Sequence, residues 1–315
     1  MTMTESNKIG IVGSGLIGRS WAMIFASAGY KVSIYDILEE QINTALREIE
    51  KELNELESLK LLRGSSSAQE QIKLICGCSD LKNLVDNALL VQECVTERVD
   101  LKQKVFADID AVADDNVIIA SSTSTFLPSI LSENLKHRDQ FLVAHPINPP
   151  YHVPLVEIVP APWTKPEVSE KMFSIMQKVG QVPIKLKKEI EGFALNRMQF
   201  AVINECFHLV QDNILDAESV DKVVTEALGL RYAFLGPLET THLNANGFRD
   251  YCERYGPGVY AVSQTFKPAP EIVGPTVDQI ANSLEKRVPL EKLADRRKWR
   301  DDSLIKLSQL KKSNS

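Results

Sequence analysis

Residues 8 to 36 constrain the fold more than any other stretch. They read K-I-G-I-V-G-S-G-L-I-G-R-S-W-A-M-I-F-A-S-A-G-Y-K-V-S-I-Y-D. The apolar run Ile9 to Val12 leads into G-S-G-L-I-G, an apolar helical segment follows, and a second apolar run ends at Asp36. That order predicts strand, glycine turn, helix and strand, with an acidic residue roughly twenty positions beyond the turn. Gly13 lets the chain turn tightly, Gly15 lets the backbone approach a pyrophosphate, and Gly18 lets the helix lie close to the sheet. The helix N-terminus then offers free N–H groups and a partial positive charge to phosphates. A carboxylate at Asp36 accepts hydrogen bonds from ribose hydroxyls and repels a 2′-phosphate. Ile37, Leu38, Glu39 and Glu40 bring no arginine that would welcome one. The expected cofactor is therefore NAD rather than NADP.

At 315 residues the chain has room for two domains, and 44% apolar with 25% charged residues is ordinary for a globular protein. A net charge of −6 argues against a nucleic-acid partner. No apolar run approaches the length of a membrane span, and the N-terminal M-T-M-T-E-S-N-K carries no signal-peptide core, so no membrane partner and a cytoplasmic location are expected. The five cysteines, Cys76, Cys78, Cys94, Cys206 and Cys252, are odd in number and scattered, which reads as reduced thiols. No clustered His/Cys/Asp pattern points to a metal.

Beyond Asp36, a helical stretch from Glu39 to Leu62, a break at R-G-S-S-S, and a second helical piece from Ala68 to Ile75 predict a helical hairpin inserted between strands. Short apolar runs recur at 88–91, 117–120, 141–144, 155–159 and 182–186, with helical patterns at 100–113 and 166–179. The alternation predicts an α/β fold, a Rossmann-type doubly wound and largely parallel sheet over residues 1–189. From Gly192 onward the pattern is helical, so residues 190–315 are expected to form an all-helical domain for substrate binding and dimerisation. Its last segment, Pro289 to Leu310, reads as a solvated terminal helix with Trp299 docked on the body.

Oxidising an alcohol needs a base that titrates near neutrality, which points to histidine. Of His137, His145, His152, His208 and His242, only His145 closes an apolar strand, in F-L-V-A-H-P-I-N-P-P. Ligands in open α/β sheets bind at the carboxyl ends of strands. Glu157 lies inside the next apolar run, P-L-V-E-I-V, where a carboxylate is costly unless paired, and the histidine strand is its nearest neighbour. A Glu that orients a His is a familiar catalytic pair. A strand-end histidine and an edge-strand glutamate without chemistry is the competing reading.

The order of G-S-G-L-I-G, S-S-T-S-T (121–125), H-P-I-N-P (145–149), L-V-E-I-V (155–159) and G-F-A-L-N-R (192–197) resembles the 3-hydroxyacyl-CoA dehydrogenase superfamily over the whole chain. The resemblance implies catalytic roles for His145 as base, Glu157 as its orienting acid, Ser124 at the substrate oxygen, and Asn196 holding substrate and histidine. It implies cofactor contacts for Gly13, Gly15, Leu16, Ile17, Gly18, Asp36, Glu97, Lys102, Ser122 and Asn148. Ser122 departs from the family, which usually has Asn there, and its shorter hydroxyl implies a weaker contact. Relatives form homodimers through the helical domain, so a homodimer is implied as well.

Two features disfavour a CoA thioester. Between Glu39 and Lys60 the insert carries seven acids against three bases, a face that repels CoA phosphates unless it is merely a solvated helix surface. Arg231, in G-L-R-Y-A-F-L-G-P, stands where CoA-acting relatives have no arginine; its guanidinium suits a free carboxylate, with a surface ion pair as the alternative. The segments I-G-R-S-W-A-M and G-L-R-Y-A-F-L-G-P-L-E-T-T-H-L-N-A resemble the branch of the family that oxidises L-gulonate at C3. A small free 3-hydroxy acid is the expected substrate. A short 3-hydroxyacyl-CoA thioester, or an abundant structural role that retains NAD binding, are the alternatives.

Overall fold

The computed structural model describes residues 6–313. By internal contacts the chain divides into two compact units, Met1–Arg197 and Met198–Ser315. In the first, β1 (Lys8–Val12), α1 (Leu16–Ser27) and β2 (Lys31–Tyr35) form the strand, turn, helix and strand read from the sequence. Then come α2 (Glu39–Ser58), α3 (Ala68–Ile72), β3 (Ile75–Gly77), α4 (Leu81–Val85), β4 (Leu90–Glu93) and α5 (Val99–Asp110). The unit continues through β5 (Ile118–Ser121), α6 (Pro128–Ser132), β6 (Phe141–Pro146), β7 (Leu155–Pro160), α7 (Pro166–Lys178) and β8 (Val182–Lys185).

The eight strands lie in the order β3-β2-β1-β4-β5-β6-β7-β8. Every neighbouring pair is parallel except β6 and β7. Strands covered on both faces are mainly apolar, and β1 shows it: Ile9 and Ile11 pack with Trp21, Phe25, Ile49 and Met172 on one face, while Val12 joins Leu84, Phe106 and Leu131 on the other. Helices α1, α2 and α7 thus cover one side and α4, α5 and α6 the other.

The insert between β2 and β3 is a helix pair, but its second member ends at Ile72, and residues 75–77 form an edge strand that the helical pattern concealed. The capping box of Ser67 and Glu70 starts α3. Arg63, in the break between α2 and α3, fastens the insert to the unit by donating to the Val179 and Gly180 carbonyls and to Gln181 Oε1.

Helix α8 (Leu195–Gln211) begins at the end of the first unit, and the second is helical: α9 (Ala217–Val223), α10 (Gly229–Tyr232), α11 (Pro237–Leu243), α12 (Phe248–Ser263), α13 (Pro275–Arg287) and α14 (Leu293–Ser313). Among its described residues there is no strand. One expectation fails here: Trp299 is 55% exposed and stacks beneath the Arg296 guanidinium, 3.6 Å from its ring centre, rather than docking on the body.

Candidate active site

The sheet reverses direction of winding between β1 and β4, and the carboxyl ends of these strands carry the glycine turn and residues 94–97. Gly13, at φ +102°, packs against the β4 exit so closely that a Cβ would lie 2.8 Å from the Cys94 carbonyl. At Gly18 a Cβ would sit 2.0 Å from the Gly13 carbonyl oxygen. Gly15 differs: it has ordinary extended backbone, and a Cβ there would meet no protein atom within 4 Å. Its bareness serves something other than the protein's own packing.

Gly15 is also the N-cap of α1, whose first turn has no capping side chain. Its N–H groups remain open to a pyrophosphate. Leu16 is exposed at that turn, and Ile17 lies partly buried against the core. Asp36 follows β2 directly; its Oδ2 accepts from the Ser14 backbone N–H at 2.9 Å and the Ser14 hydroxyl at 2.6 Å, which fixes the carboxylate beside the turn. The residues present fit NAD.

This arrangement separates two glycine substitutions. Gly18→Ala gains roughly 1 kcal/mol of helix propensity, but the overlap is with backbone, so a net loss of about 1–3 kcal/mol is expected. Gly15→Ala meets no protein atom and should lose only about 0.5–1 kcal/mol, for a poorer N-cap, while weakening NAD about tenfold, or 1.4 kcal/mol. Thermal unfolding and calorimetric titration of the two variants check this.

The antiparallel exception in the sheet builds the catalytic pair. Pairing of β6 with β7 sets His145 directly opposite Glu157, so both side chains leave the same face. His145 Nδ1 lies 2.8 Å from Glu157 Oε2. The other carboxylate oxygen, Oε1, accepts the backbone N–H groups of Ala194 at 2.8 Å and Leu195 at 3.0 Å, at the start of α8. Gly192 and Phe193 make this possible, both with left-handed backbone at φ +74° and +51°. The turn buries Phe193 fully against Val143 and Val159, near the His145 ring. Burial pushes the Glu157 carboxyl up, but the His145 hydrogen bond and the two backbone donors outweigh it and hold the group below its usual range. Glu157 is therefore an anion locked in place, and it leaves His145 Nε2 as the nitrogen available to a substrate.

Asn196, 8% exposed in the first turn of α8, donates through Nδ2 to the Ser124 carbonyl at 2.8 Å. Glu97 holds Ser124 from the other side: its Oε1 accepts the Ser124 backbone N–H at 2.9 Å, the Ser124 hydroxyl at 3.3 Å, and the hydroxyls of Thr123 and Thr125. His145, Glu157, Asn196, Ser124 and Glu97 are thus joined by one run of hydrogen bonds and neighbouring backbone.

Ser122 and Lys102 turn inward instead. The Ser122 hydroxyl takes hydrogen bonds from Trp21 at 3.2 Å and Gln92 at 2.7 Å and touches Cys94. Lys102 is 1% exposed between Glu93 and Glu97. Asn148 is exposed in the loop after β6. Arg231 lies on α10 in the second unit, exposed, with its Nε donating weakly to the Ala227 carbonyl at 3.4 Å. Among the described residues it forms no ion pair.

The other histidines have local tasks. His137 is buried against Asp110, His208 contacts the Pro268 carbonyl, and His242 accepts the Phe248 N–H. His152 packs edge-on against Tyr151. Sequence reasoning missed Glu93, Thr123, Thr125 and Phe193. Glu93 lies two residues beyond the apolar run at 88–91, with Gln92 between, so it lacked the signal that Glu157 gave from inside its own run.

Residues 8–190 match the NAD binding domain of 3-hydroxyacyl-CoA dehydrogenase, and residues 192–272 match the C-terminal domain of that enzyme. The chain belongs to the 3-hydroxyacyl-CoA dehydrogenase family. It is an NAD-dependent oxidoreductase of that family. The lambda-crystallin homolog of Mus musculus is 51% identical over 99% of this chain and 98% of its own length. The L-carnitine dehydrogenase of Oceanobacillus iheyensis is 33% identical over 96% of this chain and 97% of its own. Among solved structures, an NAD+-dependent 5-formyl-3-hydroxy-2-methylpyridine 4-carboxylic acid 5-dehydrogenase shares the fold, with a TM-score of 0.77 over 98% of this chain and 99% of that one at 22% identity. Family membership agrees with the parallel sheet, the glycine turn and the helical C-terminal region. Among the described residues, no helix is long and apolar enough to cross a membrane, and no group of three His, Cys, Asp or Glu side chains could hold a metal ion.

Proposed function

We propose that the chain oxidises the 3-hydroxyl of a small free hydroxy acid, L-gulonate, to 3-dehydro-L-gulonate. The observation that carries the chemistry is the His145–Glu157 pair, 2.8 Å apart, with Glu157 anchored on its far oxygen by two backbone N–H groups. His145 Nε2 takes the proton of the substrate hydroxyl while Nδ1–H stays on Glu157, and the carboxylate stabilises the imidazolium that forms. The Ser124 hydroxyl orients the substrate oxygen. Asn196 keeps the Ser124 main chain in place. When bound, NAD+ supplies the nicotinamide that receives the hydride; Gly13, Gly15, Gly18, Leu16, Ile17 and Asp36 would hold its pyrophosphate and ribose, with Glu97 and Asn148 toward the other end.

The free-acid reading draws on the motifs shared with the gulonate-oxidising branch, on the acidic insert and on Arg231. The carnitine dehydrogenase relatives point the same way, since carnitine is a 3-hydroxy acid with a free carboxylate. NADH production across L-gulonate, 3-hydroxybutyrate, carnitine and 3-hydroxybutyryl-CoA tests it. Highest kcat/KM on L-gulonate is expected; preference for the thioester overturns the substrate class.

The same reading makes the protein a cytoplasmic homodimer joined through its helical unit. Its five free cysteines suit a reducing compartment. The second unit exposes Met198, Phe200, Leu230, Phe234, Leu238 and Leu243, apolar side chains that a partner copy would cover. Light scattering is expected to give twice the chain mass, and a monomer at micromolar concentration would rule the dimer out.

A further inference from the structure

Glu93, the last residue of β4, is fully buried and belongs to neither the histidine pair nor the glycine turn. Its Oε1 accepts from Lys102 Nζ at 2.7 Å and from the Val95 N–H at 2.6 Å, and its Oε2 accepts from the Ser121 hydroxyl at 2.6 Å. Three donors and no acceptor surround it, which is the environment of a carboxylate. Burial outweighs Lys102, Ser121 and Val95 and leaves the carboxyl above its usual range, but only the ionised form uses this set of three donors in full. Lys102 is equally enclosed and reaches a second carboxylate, with Nζ 3.2 Å from Glu97 Oε2.

Two acids and one base make a triad with a net charge of −1. The charges are not equivalent. Glu93 and Lys102 are shut away and cancel at short range, while Glu97 is 38% exposed and directs its other oxygen to Ser124. Without Glu93, the Lys102 ammonium would be spent on Glu97, and the outer end of the triad would become a neutral pair. Glu97 sits on the turn after β4, against which Gly13 of the cofactor turn is packed.

We propose that Glu93 is a positioning residue that offsets the charge of Lys102, so that the triad keeps a net negative charge at its Glu97 end beside Ser124 and the site favours the cationic NAD+ over the neutral-ringed NADH. This rests on the family's cofactor and on Ser124 lying at the reacting end of the site. An oxidised nicotinamide carries a positive charge that its reduced form lacks, so a fixed carboxylate discriminates between the two where a neutral pair does not. Glu93 also reaches the residue before Ser124 by a second arm, because the Ser121 hydroxyl that it holds accepts the Thr123 N–H at 3.2 Å.

The test is calorimetric titration of the full chain with NAD+ and, separately, NADH, with no hydroxy acid present. The outcome is therefore independent of whether L-gulonate is the substrate. Glu93→Gln should raise the ratio of the NAD+ to the NADH dissociation constant by about tenfold. Glu97→Gln should shift the ratio equally and avoids any folding defect from touching the buried pair. The double variant Glu93→Gln/Lys102→Met leaves Glu97 as a lone carboxylate and should return the ratio to within about threefold of wild type, a rescue that a purely structural role would not produce. A wild-type ratio in Glu97→Gln, or a double variant whose ratio is no better than that of Glu93→Gln, overturns the proposal.

Discussion

Replacing His145 with glutamine is expected to lower kcat by roughly 10²–10⁴-fold, the range for removing a general base, while calorimetry finds NAD binding almost unchanged. The glutamine amide can still donate to Glu157 Oε2, which now receives Nδ1 of the ring at 2.8 Å, so the carboxylate keeps a partner. The remaining donors to Glu157, from Ala194 and Leu195, are backbone and unaffected. What disappears is the Nε2 lone pair, and with it the acceptor for the hydroxyl proton. Glu157→Gln is the companion experiment. An amide oxygen can still accept the two backbone N–H groups, but no charge remains to stabilise an imidazolium, so kcat should fall further than KM changes. Near-normal turnover in His145→Gln would remove the histidine from the chemistry, whatever the fold.

The cofactor half of the site was legible because each residue answers a local constraint. A glycine is needed at Gly13 and Gly18 by backbone geometry that a short segment defines by itself, and Asp36 follows a strand whose period is visible in the sequence. The His145–Glu157 pair was legible for a different reason: a carboxylate in an apolar strand must find a partner, and the preceding strand offered one. Glu93 gave no such signal, because the apolar run that marks β4 stops at Val91, two residues before the strand does.

The backbone contacts could not be read from residue types at all. That Ala194 and Leu195 serve Glu157 depends on two consecutive left-handed residues, one of them Phe193. A phenylalanine rarely adopts that conformation, so nothing in G-F-A-L-N-R announces it. The inward turn of Ser122 depends on Trp21 and Gln92, residues brought to it from α1 and β4. Strand β3 escaped because three residues at a sheet edge, following a helical pattern, carry too little periodicity to register.

Arg231→Ala is expected to raise KM for L-gulonate, by a loss equivalent to about 1.5–3 kcal/mol for a charge-assisted contact to the substrate carboxylate. Arg231 is exposed on α10, and its one hydrogen bond, at 3.4 Å to a carbonyl in its own helical segment, leaves most of the guanidinium's donors uncommitted. A surface arginine with a structural duty would ordinarily show an acidic partner, and among the described residues this one shows none. Two N–H groups in a plane match a carboxylate and have no counterpart on a thioester carbonyl. Arg231→Lys keeps the charge but loses the two-pronged contact, so it should recover only part of the affinity. The pattern across substrates separates clamping from general damage: Arg231→Ala should lose its preference for L-gulonate over the neutral amide, while kcat with saturating acid changes less than KM. A free-acid preference that survives the substitution would place the carboxylate on another residue and leave the His145 chemistry untouched.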